Sequence, residues 1–305
     1  MKSNLHQNRE KKYFKNKTIL ITGASGFIGK NFLRHISQFE CKIYAIYNDT
    51  KINFIKKNIT YIKCDLLKNF PKKILKYNFD IFYHFAGPKA DRISINNKLD
   101  ILKGLVIDEN VIDYVIKKKI PKFFYASSAG VYDVNKTNFT EKRLPISTNS
   151  DGFYGLSKLI GEEKLFKSLN KKNFVICRFF SIYGKYSNTI INKWKIKIKK
   201  SFKINIWGNG KTIRSWLHIN DAVDGIVKMT TNKSKNVIYN LGSSEKTSLN
   251  EIYKIIKKKY PNSKTLVIHN KNFESGPKKR FTSCRNLKKL NWKQKVSLNK
   301  GLTLI

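Results

Sequence analysis

Thr18-Ile-Leu-Ile-Thr-Gly-Ala-Ser-Gly-Phe-Ile-Gly29 sets an apolar run, a turn with glycine at every third position and the start of an amphipathic stretch in immediate succession. A short apolar run closed by glycine reads as a buried strand, here Thr18 to Ile21, and the apolar spacing from Phe27 to Ser37 reads as a helix. Gly23, Gly26 and Gly29 would permit a tight turn and close backbone approach. The free N–H groups of the helix start would then meet a phosphate. A bare strand–helix turn is the plainer alternative. The flanking strand and helix make dinucleotide binding the better reading, with Ser25, Phe27 and Ile28 of the same loop as further contacts.

The same alternation continues downstream, as in a parallel α/β sheet. Lys42 to Ile46, Thr60 to Lys63, Phe79 to Phe85, Lys122 to Ala126 and Asn173 to Cys177 read as further strands. Tyr154 to Ser168 reads as a helix by its periodicity. From about Tyr183 the alternation weakens into a helix at Ile190 to Lys200, a loop with Gly208 and Gly210, and a helix at Leu249 to Lys259. This marks a smaller capping region, while Val237 to Asn240 reads as a strand returning to the main sheet.

Bulk composition narrows the class. An apolar share of 41 % and an aromatic share of 13 % in 305 residues belong to a folded protein with a full core. No apolar run approaches the roughly 18 residues that span a bilayer. Met1 to Lys17 is polar and basic, with no apolar core like that of a signal peptide. Cys41, Cys64, Cys177 and Cys284 are far apart, which suits reduced thiols in the cytoplasm; no metal site is expected. The charge balance is unusual, with 62 Lys plus Arg against 20 Asp plus Glu and a net charge of +42. The lysines run from end to end, and Asn, Ile, Phe and Tyr are abundant, as under A/T-rich codon bias. A generally basic surface that attracts anionic small molecules is expected, with Lys117 to Lys119 and Lys193 to Lys203 as solvated helix faces.

Tyr154-Gly-Leu-Ser-Lys158 puts a phenol and an ammonium one helical turn apart on a shared face. The ammonium favours the phenolate and pulls down a pKa that starts near ~10, making a proton-transfer group for neutral pH.

With these segments in place, the chain resembles the extended short-chain dehydrogenase/reductases, the nucleotide-sugar epimerase/dehydratase group, over nearly its whole length. His84-Phe-Ala-Gly-Pro-Lys-Ala90 is similar to the segment after strand four, closest to the UDP-galactose 4-epimerase version. Ser127-Ser-Ala-Gly-Val-Tyr132 resembles the catalytic-serine segment, and Tyr154 with Lys158 the catalytic pair. Arg178-Phe-Phe-Ser-Ile-Tyr-Gly184, Arg214-Ser-Trp-Leu-His-Ile-Asn-Asp221, Tyr239-Asn-Leu-Gly242 and Leu287-Lys-Lys-Leu-Asn-Trp292 are further likenesses in the family's order.

The resemblance implies an α/β fold, a Rossmann-type doubly wound parallel sheet over residues 1–182, with a smaller C-terminal substrate-binding region over 183–305. It implies Ser128, Tyr154 and Lys158 as catalytic residues. Cofactor contacts would come from the glycine loop, Asn48, Asp65, Leu66, Phe85, Ala86, Gly87, Lys89, Tyr154 and Lys158. A nucleotide-diphosphate sugar would meet Ser128, Ser181, Arg214 and Arg280. Asp65 also reads as a plain turn former. Tyr47 stands where a ribose-binding acid is usual, followed by Asn48 and Asp49; no arginine is near to welcome a 2′-phosphate, though Lys51 is close. NAD is thus favoured, with NADP as the alternative. A homodimer in the cytoplasm is expected.

Departures from the pattern narrow the activity. Ile101 or Gly104 stands where the family has an Asn, Ser181 where an Asn touches the diphosphate, and Phe153 where a Pro precedes the tyrosine. Ala129 and Gly130 replace the Asp–Glu pair with which sugar 4,6-dehydratases eliminate water, so elimination is not expected. A 4-epimerase acting through a 4-keto sugar is the leading expectation, a 4-keto-sugar reductase the runner-up. A non-catalytic RNA-binding member of the fold is the third reading.

Because the lysines are dispersed, any RNA binding is expected to be a counterion-release effect. It should be alike for unrelated RNAs and fall steeply between about 50 and 200 mM salt. A gel-shift series across that range checks this; tight, salt-resistant binding to one RNA alone would favour the non-catalytic reading.

Overall fold

A computed structural model of the chain describes residues 2–68, 70–88, 97–137, 139–170, 173–232, 237–270 and 278–305. The first part of the chain runs α1 (Lys2–Phe14), β1 (Thr18–Thr22), α2 (Phe27–Ile36), β2 (Lys42–Tyr47), β3 (Ile59–Lys63), α3 (Lys72–Leu75) and β4 (Ile81–His84). It continues through α4 (Lys98–Lys117), β5 (Lys122–Ser128), α5 (Gly152–Ser168) and β6 (Phe174–Phe179). Then come β7 (Ser181–Tyr183), α6 (Ile190–Lys199), β8 (Ile204–Trp207), β9 (Ile213–Arg214), β10 (Trp216–His218) and α7 (Ile219–Thr231). The chain closes with β11 (Ile238–Leu241), β12 (Thr247–Ser248), α8 (Leu249–Lys258), β13 (Val267–Asn270), β14 (Lys279–Arg280) and two short helical turns.

Seven strands form one sheet in the order β11-β6-β5-β4-β1-β2-β3, every neighbouring pair parallel. The alternation of side chains along each strand explains its two dry faces. Ile19, Ile21, Ile43, Ala45, Ile81 and Tyr83 pack with α2 and α7, while Leu20, Ile46, Phe82, Phe123 and Tyr125 pack with α4 and α5. This is the Rossmann-type doubly wound α/β sheet that the sequence suggested. A smaller cluster gathers Ile191, Trp194 and Ile198 of α6 with Ile204 and Ile206 of β8 and Leu249, Ile252 and Ile256 of α8. Chain leaving β6 passes through this smaller region before β11 completes the sheet beside β6, with Ile238 opposite Ile176.

Three long helices, α1, α4 and α7, were not evident from periodicity. α1 is mostly polar and is held by its last residues: the Phe14 ring stacks on Phe39 at 5.2 Å, and the Tyr13 hydroxyl donates to the Thr230 carbonyl at 3.1 Å. α4 begins at Asn97, whose side-chain oxygen accepts from the N–H groups of Leu99 and Asp100. No described helix is long and apolar enough to cross a membrane.

α5 lies close against the end of β5 because Gly155 has no side chain. A Cβ there would come within 2.1 Å of the Gly130 carbonyl oxygen, and backbone cannot swing aside as a side-chain tip can. Gly155→Ala is expected to destabilise the protein by about 1–3 kcal/mol. Lys167→Ala, on an exposed position of the same helix, should stay within about 0.5 kcal/mol. Urea denaturation of both variants checks the difference.

Candidate active site

The glycine turn joins β1 to α2 and touches the segment after β4 backbone to backbone. Gly23 has φ +66°, and a Cβ on it would meet the Ala86 nitrogen at 2.5 Å. One on Gly29 would meet the Gly23 carbonyl oxygen at 2.2 Å. Gly26 begins α2 with no side chain capping its N–H groups. Here a narrow cradle, sized for bare backbone, opens onto uncapped donors, an arrangement that fits a pyrophosphate. Ser25, Phe27 and Ile28 are half-buried in the same loop.

The other expected cofactor residues lie at the ends of neighbouring strands. Phe85 and Ala86 are half-buried and Gly87 is exposed, just beyond β4. Asn48, beyond β2, is exposed and donates to Asp49 at 3.2 Å. Asp65 accepts from the Leu67 N–H at 3.0 Å, the turn-forming role, and Leu66 is buried in the sheet's apolar layer. Lys89 lies outside the described residues.

Ser128 ends β5 and Tyr154 sits in the first turn of α5, with Lys158 one turn further on. The Ser128 hydroxyl accepts from the Gly130 N–H at 3.0 Å and lies on the Tyr154 side of the site, where it favours the phenolate. Tyr154 and Lys158 are 7 % and 4 % exposed. The sequence suggested a Tyr154 pKa lowered by Lys158. In the folded chain it is raised instead. Burial disfavours the phenolate most, Lys158 and Ser128 work against that effect, and Asp108 and Asp151 add to it.

Asp108 was not singled out from the sequence. It lies in α4, and its carboxylate is 3.1 Å from the Lys158 ammonium. It also accepts from the Tyr125 hydroxyl at 2.5 Å and lies 2.9 Å from His84 Nε2. A signal did exist: Gly104, Asp108, Val111 and Val115 share a buried helical stripe, and one acid on an apolar stripe demands partners. Among the described residues no group of three or more His, Cys, Asp or Glu is placed to hold a metal ion.

Two arginines expected to meet a diphosphate are brought together from distant sequence. Arg214 of β9 is the direct neighbour of Arg280 of β14 in a parallel pair. Arg280 donates through Nη1 to Asp151 at 2.7 Å, which ties it to the start of the helix that carries Tyr154. Its buried Nε has no partner among the described residues. Ser181 opens β7 half-buried, opposite Trp216.

Known proteins share this fold. A Methanocaldococcus jannaschii protein named as a candidate UDP-glucose 4-epimerase is 27 % identical over 301 residues, covering 93 % of this chain and 95 % of its own. The structure of an epimerase from Methanothermobacter thermautotrophicus matches with a TM-score of 0.83 at 24 % identity, over 97 % of this chain and 92 % of that one. The UDP-glucuronic acid 4-epimerase of Bacillus cereus, solved with UDP-glucuronic acid and NAD, matches with a TM-score of 0.82 at 24 % identity, over 94 % and 97 %. The family model described as NAD dependent epimerase/dehydratase matches residues 19–242. The chain therefore belongs to the NAD dependent epimerase/dehydratase family.

Proposed function

We propose that the protein is a nucleotide-sugar 4-epimerase. The observation that carries the reading is the Tyr154 phenol, drawn toward phenolate by both Lys158 and the Ser128 hydroxyl, with Ala129 and Gly130 beside them instead of carboxylates. Such a set can move a proton on and off one sugar oxygen, but it holds no acid/base pair for eliminating water.

In this reading Tyr154 takes the proton of the sugar C4 hydroxyl and later returns it to the same oxygen. Ser128 steadies that oxygen through its own hydroxyl. Lys158 supplies the positive charge that draws the buried phenol toward phenolate, and shares in holding the nicotinamide ribose. The glycine turn and the Phe85–Gly87 segment hold NAD, which when bound supplies a reversible hydride acceptor for C4. Arg214 and Arg280 grip the diphosphate, leaving the sugar ring free to present either face once C4 is a ketone. Asn48, Asp65 and Leu66 flank the adenosine end, and Ser181 faces the nucleotide side. A homodimer in the cytoplasm completes the reading, with exposed Leu99, Leu102 and Phe153 on α4 and α5 as its contact.

Tyr154→Phe should leave the fold and NAD binding intact and nearly abolish turnover, since only the titrating oxygen is lost. The check is NMR of the C4 configuration in UDP-sugars incubated with the NAD-loaded protein. Retention of more than about a tenth of the wild-type rate would remove Tyr154 from the role. Conversion only with stoichiometric consumption of reduced nicotinamide would identify a reductase instead.

Tyr47 is half-buried where a carboxylate would hold both ribose hydroxyls, and no arginine follows it in the sequence between residues 48 and 60. NAD should therefore bind more tightly than NADP, though with a looser hold on the ribose than a carboxylate gives. Parallel calorimetric titrations test this, and NADP binding about tenfold tighter than NAD would overturn it.

A further inference from the structure

We infer that Asp108 is a positioning residue: its buried carboxylate is the counter-charge that holds the Lys158 ammonium in place behind Tyr154. This rests on the reading of Tyr154 and Lys158 given above, and carries it one residue deeper. The Lys158 Nζ lies 3.1 Å from Asp108 Oδ2 and 3.4 Å from Oδ1. The two side chains are 5 % and 4 % exposed, so water cannot screen or replace the pair.

Asp108 is itself held by two further side chains. The Tyr125 hydroxyl of β5 donates to Oδ2 at 2.5 Å, and Gly161 of α5 leaves room for that hydroxyl, since a Cβ there would lie 2.2 Å from it. His84 of β4 reaches Oδ1 with Nε2 at 2.9 Å, and its Nδ1 lies 2.6 Å from Thr22 Oγ1. Burial keeps the imidazole neutral, so Nε2–H donates to the carboxylate and Nδ1 accepts the Thr22 hydroxyl proton. Thr22 is the residue before Gly23. The chain of bonds therefore runs from the cofactor turn through His84 and Asp108 to Lys158.

The other charged groups near this cluster are already paired. Glu162 of α5 is bound to Arg178 at 2.6 Å, and Asp151 to Arg280 at 2.7 Å. Asp108 is the carboxylate that carries the hydrogen bonds to Lys158. Its negative charge partly offsets the pull of that lysine on the Tyr154 phenol. This effect gives the arrangement a pH signature that a purely space-filling residue would lack.

In Asp108→Asn the amide keeps the shape but not the charge. Tyr154 should then ionise more readily, and the acid limb of the pH profile of turnover should move to lower pH by about one unit. The second readout uses the cofactor-free protein. Asp108→Asn and Lys158→Met should each lower the urea midpoint by leaving a buried partner unmatched. The double variant, with no orphaned charge, should be more stable than the Lys158→Met protein alone. An unmoved acid limb together with strictly additive losses would overturn the inference. If no UDP-sugar is turned over at all, the epimerase reading fails by itself, and the unfolding cycle alone then decides whether Asp108 holds Lys158.

Discussion

Arg178 is wholly buried, and a guanidinium cannot shed its charge to escape that environment. Everything around it is arranged to satisfy it. Glu162 of α5 accepts two of its hydrogen bonds, at 2.9 and 2.6 Å, and the Tyr132 hydroxyl accepts a third at 3.1 Å. Glu162 in turn accepts from Ser127 of β5 at 2.5 Å, and Tyr132 donates to Asn240 of β11 at 2.6 Å. One ion pair thus fastens β5, β6, β11 and α5 to each other. Removing either partner from such a pair typically costs about 3–5 kcal/mol, because an uncompensated charge stays behind. Ser128 follows Ser127, and Tyr154 lies two turns before Glu162 on α5. The spacing of the two hydroxyls is therefore set by an ion pair that never touches substrate.

This ordering of layers accounts for what could be read in advance. The β1–glycine–α2 unit is local: alternation, turn chemistry and helix periodicity agree within a dozen residues, so its fold was legible. The Tyr154–Lys158 spacing is equally local. Arg178 was recognised only as part of a strand-six likeness, since its partners come from four other segments. The neighbourhood of Arg214 and Arg280 depends on a parallel pairing across the small region and could not be seen from spacing.

The protonation of Tyr154 shows why a correct local observation can still mislead about direction. One helical turn does place the ammonium beside the phenol. What spacing omits is the apolar packing that surrounds both groups and the second charge, Asp108, brought in by α4. Burial outweighs one favourable neighbour whose own field is shared with a carboxylate. α1 was missed for a related reason: its sequence is mostly polar and basic until Tyr13 and Phe14 at its end, so a periodicity signal never builds up.

The position of β11 has a consequence for synthesis. β6 leaves the ribosome well before the chain that will cover its outer edge, because the whole of β7 to α7 must emerge first. During that interval β6, an almost entirely apolar strand, is a bare hydrogen-bonding edge of the kind that invites pairing with other nascent chains. Its one charged residue is Arg178, at the centre of the ion pair described above. Glu162, its partner, precedes it in the chain, so that charge can be matched before β11 is made. What the waiting edge lacks is therefore backbone partners, and β11 supplies them.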